Sequence, residues 1–479
     1  MNIDAKNIGL LFVITGITAA AGLMFAKAPP HMVVAVTAGL VLALVSFFNT
    51  ELALYILIIS MLLGPQFTTG PAELVPGRGR GGVTLRYDDF LLVVIGLSWF
   101  FKTAIHKDLG IFPGTKLNRA IGYYFAVCLL STLVGQMFGR VRGLTGIFFV
   151  LKYFEYYVVF FMAVSQIHEK RQLQRFLAVI LLVCFIVSVV AIAQIPAGGR
   201  VSAPFEGPEG EPNTLGGYLV LMMSMALGLL LSCSSKRMKI ALWALLPFML
   251  LALGATLSRS SWVSLVPMTL ALIYYSRRKL VIIIPLAFII AAAPFILPNN
   301  IKQRALFTFT QPEEQGQIAI GETKIDTSTS ARLESWRMVL ASDFIKHPIL
   351  GFGVTGYRFL DAQYPRVLAE TGLIGLALFL YLLYAIYKNA RDAYEKTQDP
   401  FYKGFLLGYL AGFWAMLAHG IGANTFIIVR IMEPFWFLTA MAIMIPRLEE
   451  TAIAANDAAA ADGDFPACVS NRKISAQAG

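Results

Sequence analysis

The chain has 479 residues, of which 57% are hydrophobic and only 14% charged, whereas an ordinary soluble domain carries about a quarter charged residues. That is too little polar sequence to cover two or three soluble domains, so the chain reads as an all-α, polytopic integral membrane protein. The formal charge of +11 would suggest nucleic acid in a soluble chain, but here it fits basic cytoplasmic loops and no nucleic-acid partner. Cys128, Cys184, Cys233 and Cys468 are scattered, giving neither a disulfide framework nor a zinc spacing.

A bilayer core takes roughly 20 apolar residues as a helix. By that measure about fourteen spans (twelve to fourteen) follow in order, near 8–26, 31–48, 51–64, 88–105, 117–137, 143–164, 174–195, 214–232, 240–257, 261–275, 280–297, 366–387, 401–419 and 429–446. The third is short enough to be re-entrant. The first is too long and too lightly charged at its start for a clear signal peptide. Residues 1–446 thus form a single membrane domain. The segment 298–365, between spans 11 and 12, is a large external loop carrying short interfacial helices. The tail 447–479 is rich in alanine and small polar residues and reads as disordered in the cytoplasm.

Loop charges set the orientation. Five alternate loops hold seventeen basic residues, among them Lys102, Lys170, Lys236, Arg277 and Lys388, while the short loops of the other set hold eight. The positive-inside rule places the first set, and with it both termini, in the cytoplasm. Segment 298–365 then faces outward, with seven basic and seven acidic side chains in balance. The Gly- and Pro-rich stretches 65–87 and 196–213 are external loops without regular structure. No internal repeat supports an inverted-repeat transporter.

Charges within or beside a span point to function. Lys152 and Glu155 share a helix face at i, i+3 and fit an internal ion pair. Arg259, in TLSRSSWVS, lies between two spans with almost no loop, as a headgroup anchor or pointing into a cavity. Glu370 stands at the mouth of a span, where it is either a carboxylate with a role or one stabilised by a helix N-terminus. Glu433, beside Pro434, fits a structural hydrogen bond. From Arg332 to Phe344 the apolar residues suggest a short helix on the membrane surface, and HPILGFG then breaks it.

These blocks resemble the O-antigen ligase and Wzy-type polymerase superfamily of bacterial envelope enzymes. The likeness rests on EPNTLGGYL with Arg200 upstream and Pro212-Asn213 entering a span, on LSRSSW at 257–262, on ARLESW at 331–336 with Trp336, on HPILGFG at 347–353 with Gly351 and Gly353, and on LAETGLIGLALFL at 368–380. It covers about 196–387. The resemblance implies a glycosyltransferase at the outer face of the inner membrane whose donor is a glycan on undecaprenyl pyrophosphate. Such transfer needs stabilisation of the leaving pyrophosphate and an aimed acceptor hydroxyl. No external Asp-x-Asp pair is present, so no metal and no other cofactor is expected. Arginines, which grip phosphate bidentately, take that part. Block matching assigns Arg259 and Arg332 to the pyrophosphate, with Arg200 as a third.

The family's ligases carry a His-Asn pair before the glutamate-glycine entry, and here Tyr364-Pro365 stands near that place. This favours a polymerase joining repeat units of an exopolysaccharide, capsule or O-antigen, with ligation to lipid A-core as the runner-up. The candidates for acceptor activation are Glu370, Asp361 and His347, followed by Tyr364 and His419. Expected partners are the lipid-linked glycan, membrane lipid, a flippase and a chain-length regulator. A polar-solute transporter is the competing class, but it would place its charges near the midplane, where only Lys152 and Glu155 lie. Convergence of Arg259 and Arg332 at one outward face separates the two.

Overall fold

The computed structural model describes residues 30–69, 83–105, 113–206, 210–296, 298–312, 314–320 and 323–461. The expected span near 8–26 lies outside them. The chain folds into α1 (Pro30–Phe48), α2 (Thr50–Leu63), α3 (Tyr87–Ile105), α4 (Asn118–Met137), α5 (Thr145–Gln166), α6 (Lys170–Gln194), α7 (Pro212–Ser232) and α8 (Lys236–Ala255). There follow α9 (Arg259–Tyr275), α10 (Lys279–Ile296), α11 (Asn299–Thr310), α12 (Thr327–Met338), α13 (Gln363–Lys396), α14 (Pro400–Gly422) and α15 (Val429–Ala461). Eight of these, α4 to α8 and α13 to α15, are long and apolar enough to cross a membrane, and shorter apolar helices occupy 38–48, 50–63 and 279–288. The protein is therefore an all-helical, multi-pass membrane protein with eight candidate spans among the described residues. Of the six other expected spans, the first lies outside the described residues, α1 and α10 count only as the shorter stretches 38–48 and 279–288, α2 and α9 are short, and α3 carries Asp88, Asp89 and Lys102.

Large apolar side chains point outward all along the helices, such as Ile240, Trp243, Val263, Leu270 and Phe288. A helix apolar on its outer as well as its inner face belongs in lipid. Small residues and aromatics hold the interior. In α14, Gly404, Gly408 and Gly412 recur every fourth residue and bring its backbone against Gly228, Met225 and Ser224 of α7. Between α5 and α15, Trp436 meets Tyr157 edge-on at 4.8 Å and Phe160 at 5.6 Å. Where lipid is as apolar as the helix surface, such close packing drives association.

Three segments differ from the sequence reading. The loop 65–87 is not wholly irregular, because its ends pair as an antiparallel hairpin, β1 (Gln66–Thr69) with β2 (Val83–Arg86). The tail does not begin at 447. Helix α15 runs through Pro446 to Ala461, sustained by the buried Leu448 and by an alanine-rich run of high helix propensity. Finally, α13 breaks at Gly372, whose φ of 67° suits glycine. The HPILGFG block fills this break. Phe352 and Gly353 donate their N–H groups to the carbonyls of Ala369 and Glu370 at 2.9 and 2.8 Å, while Leu373 and Ile374 donate to Pro348 and Ile349 at 2.8 and 3.3 Å. The backbone groups orphaned by the break are thereby satisfied.

Candidate active site

The turn between α8 and α9 is the centre of the site. Leu257 takes φ 49°, an unusual conformation for a branched residue, and Ser258 then caps α9 by accepting from the Ser261 amide. The Ser258 hydroxyl donates to Asn213 Oδ1 at 2.7 Å, so the EPN and LSRSSW blocks are joined at one helix start. The contacts continue from Ser258 to Ser261 at 2.8 Å, from Ser261 to His419 Nε2 at 3.1 Å, and from His419 Nδ1 to Thr425 at 2.7 Å. His419 is fully buried. It acts as a bridge between α9 and the end of α14, not as a group open to a substrate.

Four arginines gather above this turn. Arg259 grips Asp326 with both terminal nitrogens at 2.7 Å and donates to Thr308 at 2.6 Å. Asp326 also caps α12 through the amides of Ser328 and Thr329. Burial alone would raise the Asp326 carboxyl, but the Arg259 fork and the Thr329 bonds hold it below the ordinary aspartate value. Arg332, one turn along α12, donates to Asp361 at 2.8 Å, and its Nε is buried without a hydrogen-bond partner.

Arg200 donates through Nε to the Thr256 carbonyl at 3.0 Å, and Arg304 of α11 reaches the Leu257 carbonyl at 3.5 Å. Neither forms an ion pair among the described residues. The Arg200 guanidinium is held below its ordinary value first by burial and then by the charges of Arg304, Arg259 and Arg332, with Glu211 opposing. Burial and then Arg259 lower Arg304 likewise. Mutual repulsion of this kind marks one basic surface, and arginines presented together bind anions such as phosphate.

Arg200, Arg259 and Arg332 are thus brought together, and Arg304 joins them. Sequence reasoning missed Arg304 because segment 298–365 is charge-balanced as a whole and no motif surrounds it. Asp361 stands with the arginines through Arg332. Glu370 does not. It lies in the last turn of α13 before the Gly372 break, where its Oε1 accepts from Arg366 at 3.2 Å and from the Thr355 amide at 3.3 Å. The helix-start reading of Glu370 therefore gives way, since α13 begins at Gln363.

His347 ends the helical turn after α12 and sets its ring against Phe352 at 4.6 Å. Burial, then Arg140 and Lys346, push its pKa below the usual histidine value. Tyr364 donates to the Leu417 carbonyl at 2.7 Å, and Trp336 packs beside it at 6.3 Å. Gly351 and Gly353 take φ 67° and 92° where the block enters the break. Helix α12 and the following π-turn, Val339–Asp343, present Leu333, Leu340 and Ile345 outward, as an interfacial segment does.

The family model described as O-antigen ligase matches residues 240–380, a stretch holding the α8–α9 turn, Arg259, Arg304, Asp326, Arg332, the HPILGFG block and the Gly372 break. The match is to that segment, less than a third of the chain, and it falls within the stretch 196–387 that carries the sequence resemblance. No curated protein matches the chain.

Proposed function

We propose that this protein is a polymerase joining oligosaccharide repeat units carried on undecaprenyl pyrophosphate, at the outer face of a bacterial inner membrane. The observation that carries the proposal is the basic surface of Arg200, Arg259, Arg304 and Arg332, where, among the described residues, two guanidiniums have no carboxylate partner and the buried Arg332 Nε has no acceptor. A pyrophosphate supplies the acceptors such a surface lacks. In the transfer, the acceptor oxygen bonds to the anomeric carbon while the bond from that carbon to the pyrophosphate oxygen breaks, and the lipid pyrophosphate leaves. Fixed guanidiniums stabilise the charge developing on the leaving oxygen without reorganising. Arg259 has its two terminal nitrogens on Asp326, so it orders the surface, and Arg200, Arg304 and Arg332 meet the phosphates. Asp361, held among them by Arg332, takes the acceptor proton.

The test is binding of purified protein in nanodiscs to a lipid-pyrophosphate-linked oligosaccharide, with polymer formation measured in parallel. R200A, R304A and R332A should each lose polymer at unchanged protein level, and lysine should restore only part, because an ammonium lacks the fork. Wild-type yield from all three alanine variants overturns the reading. Supplying lipid A-core as acceptor separates ligation from polymerisation. The rate per folded molecule should also persist in EDTA, because no divalent cation acts at the pyrophosphate.

A further inference from the structure

A second group of charges, built from other elements, lies where β2, the start of α3, the middle of α5, the loop before α7 and the first turns of α15 meet. Asp88, fully buried, pairs with Arg86 at 2.6 Å. Asp89 accepts the Arg86 amide at 2.8 Å and pairs with Lys152, which also reaches Glu155 Oε2 at 3.3 Å. Arg430 donates to the carbonyls of Leu62, Pro204 and Gly64 at 3.0, 2.9 and 3.1 Å and faces Glu206 at 3.5 Å. Glu433 completes the group.

Charge does not balance in it. Counted in their ionised forms, Asp88, Asp89, Glu155, Glu206 and Glu433 are five carboxylates against three cations, Arg86, Lys152 and Arg430, an excess of two. Uncompensated charge buried in a low dielectric is strongly unfavourable. The oxygens that bear the excess are identifiable. Glu433 is 0% exposed and neither of its oxygens has a hydrogen-bond partner, contrary to the structural hydrogen bond expected of it. Glu155 Oε1 and Asp88 Oδ1 are likewise buried and unbonded.

One oxygen from each of Asp88, Glu155 and Glu433 lies within 4.8 Å of the others. Oxygens sharing a hard cation at about 2.0–2.6 Å are at most about 4–5 Å apart. We propose that Asp88, Glu155 and Glu433 bind one divalent, oxygen-seeking cation of the magnesium, manganese or calcium class. No thiolate or imidazole belongs to the trio, so the softer metals are not favoured. The ion offsets the two excess charges and ties α3, α5 and α15 together. Its role is structural, and it is independent of the arginine surface.

The experiment is manganese(II) binding to the full chain in nanodiscs after chelator treatment, followed by electron paramagnetic resonance, with thermal unfolding read alongside. One equivalent of manganese should leave the free aqueous signal, and unfolding should move to higher temperature by several degrees. E433Q, nearly isosteric, should bind manganese at least about 10-fold more weakly, the lower end of what even outer-shell changes cost, and its unfolding should no longer respond to the ion. D88N repeats the test should E433Q not fold. Manganese that stays fully aqueous in wild-type samples, together with unfolding indifferent to manganese, magnesium, calcium and EDTA, overturns the proposal. So does E433Q that binds manganese like wild type.

Discussion

Removal of Asp326 tests how the arginine surface is held. The Asp326 side chain is 1% exposed and that of Arg259 15%, and the carboxylate also accepts from the amides of Ser328 and Thr329 at 3.1 and 3.2 Å and from the Thr329 hydroxyl at 2.7 Å. In D326A the guanidinium stays buried without its partner and α12 loses its cap. Breaking a buried pair costs about 3–5 kcal/mol, and losing a helix cap costs about 1 kcal/mol. The terms overlap, so about 3 kcal/mol is a lower expectation, and roughly 100-fold faster amide exchange follows wherever α12 opens locally. Hydrogen exchange read over 327–338 is the assay, with 212–232 as internal reference. The double variant R259A/D326A should recover part of the loss, since no buried charge is then stranded. Unchanged protection over 327–338 in D326A refutes the account of Arg259 as an ordering residue and returns it to the free phosphate-binding set.

Further outcomes are expected from other positions. Burial raises Glu206 to about 6, with Arg430 opposing. The folded protein therefore holds a proton that the unfolded chain releases, so its contribution to stability falls by about 2 kcal/mol as pH rises from 4.5 to 6 and is level above. The wild-type-minus-E206Q difference in unfolding free energy should show that slope, and a flat difference refutes it. G408L forces a side chain into the α7 backbone, for an overpacking cost of about 1–3 kcal/mol or more. It should lose folded, monodisperse protein in size-exclusion chromatography, whereas G39L, with open space around it, should not. E370Q strands the buried Arg366, so it should lower the unfolding temperature while keeping transfer per folded molecule. Lost transfer at an unchanged unfolding temperature would make Glu370 a catalytic base instead.

Sequence carried the fold class and singled out three of the arginines that the structure brings together. Hydropathy alone reveals membrane helices, because lipid demands apolar runs with internally bonded backbone. The arginines at the start of α9 and in α12 were legible because each sits in a short sequence block, LSRSSW and ARLESW. What stayed hidden was long-range pairing. Nothing near Arg259 announces that Asp326, 67 residues on, occupies its fork. Arg304 has no motif. Asp88, Glu155 and Glu433 come from three separate helices, so no ligand spacing exists to be read, even though Glu155 and Glu433 stand out singly as charges in spans. The close-packing stripe of Gly404, Gly408 and Gly412 went unread in the sequence, and nothing there names its partner in α7.

The seating of HPILGFG in the break of α13 has a mechanical corollary. A kink lined only by its own residues works as a swivel. One keyed by four backbone bonds from another segment works as a mortised joint, and the two halves of α13 move with the 347–353 chain or not at all. The neighbouring stretch is closed differently, with the Asp326 amide donating to the Thr308 carbonyl at 3.0 Å and the Thr327 amide to Gln311 Oε1 at 2.9 Å. Helix α11 and the short β3 (Ala319–Ile320) and β4 (Thr323–Lys324) hang between α10 and α12. Arg259 adds a side-chain clasp across the same closure, through Thr308 near the end of α11 and Asp326 at the start of α12.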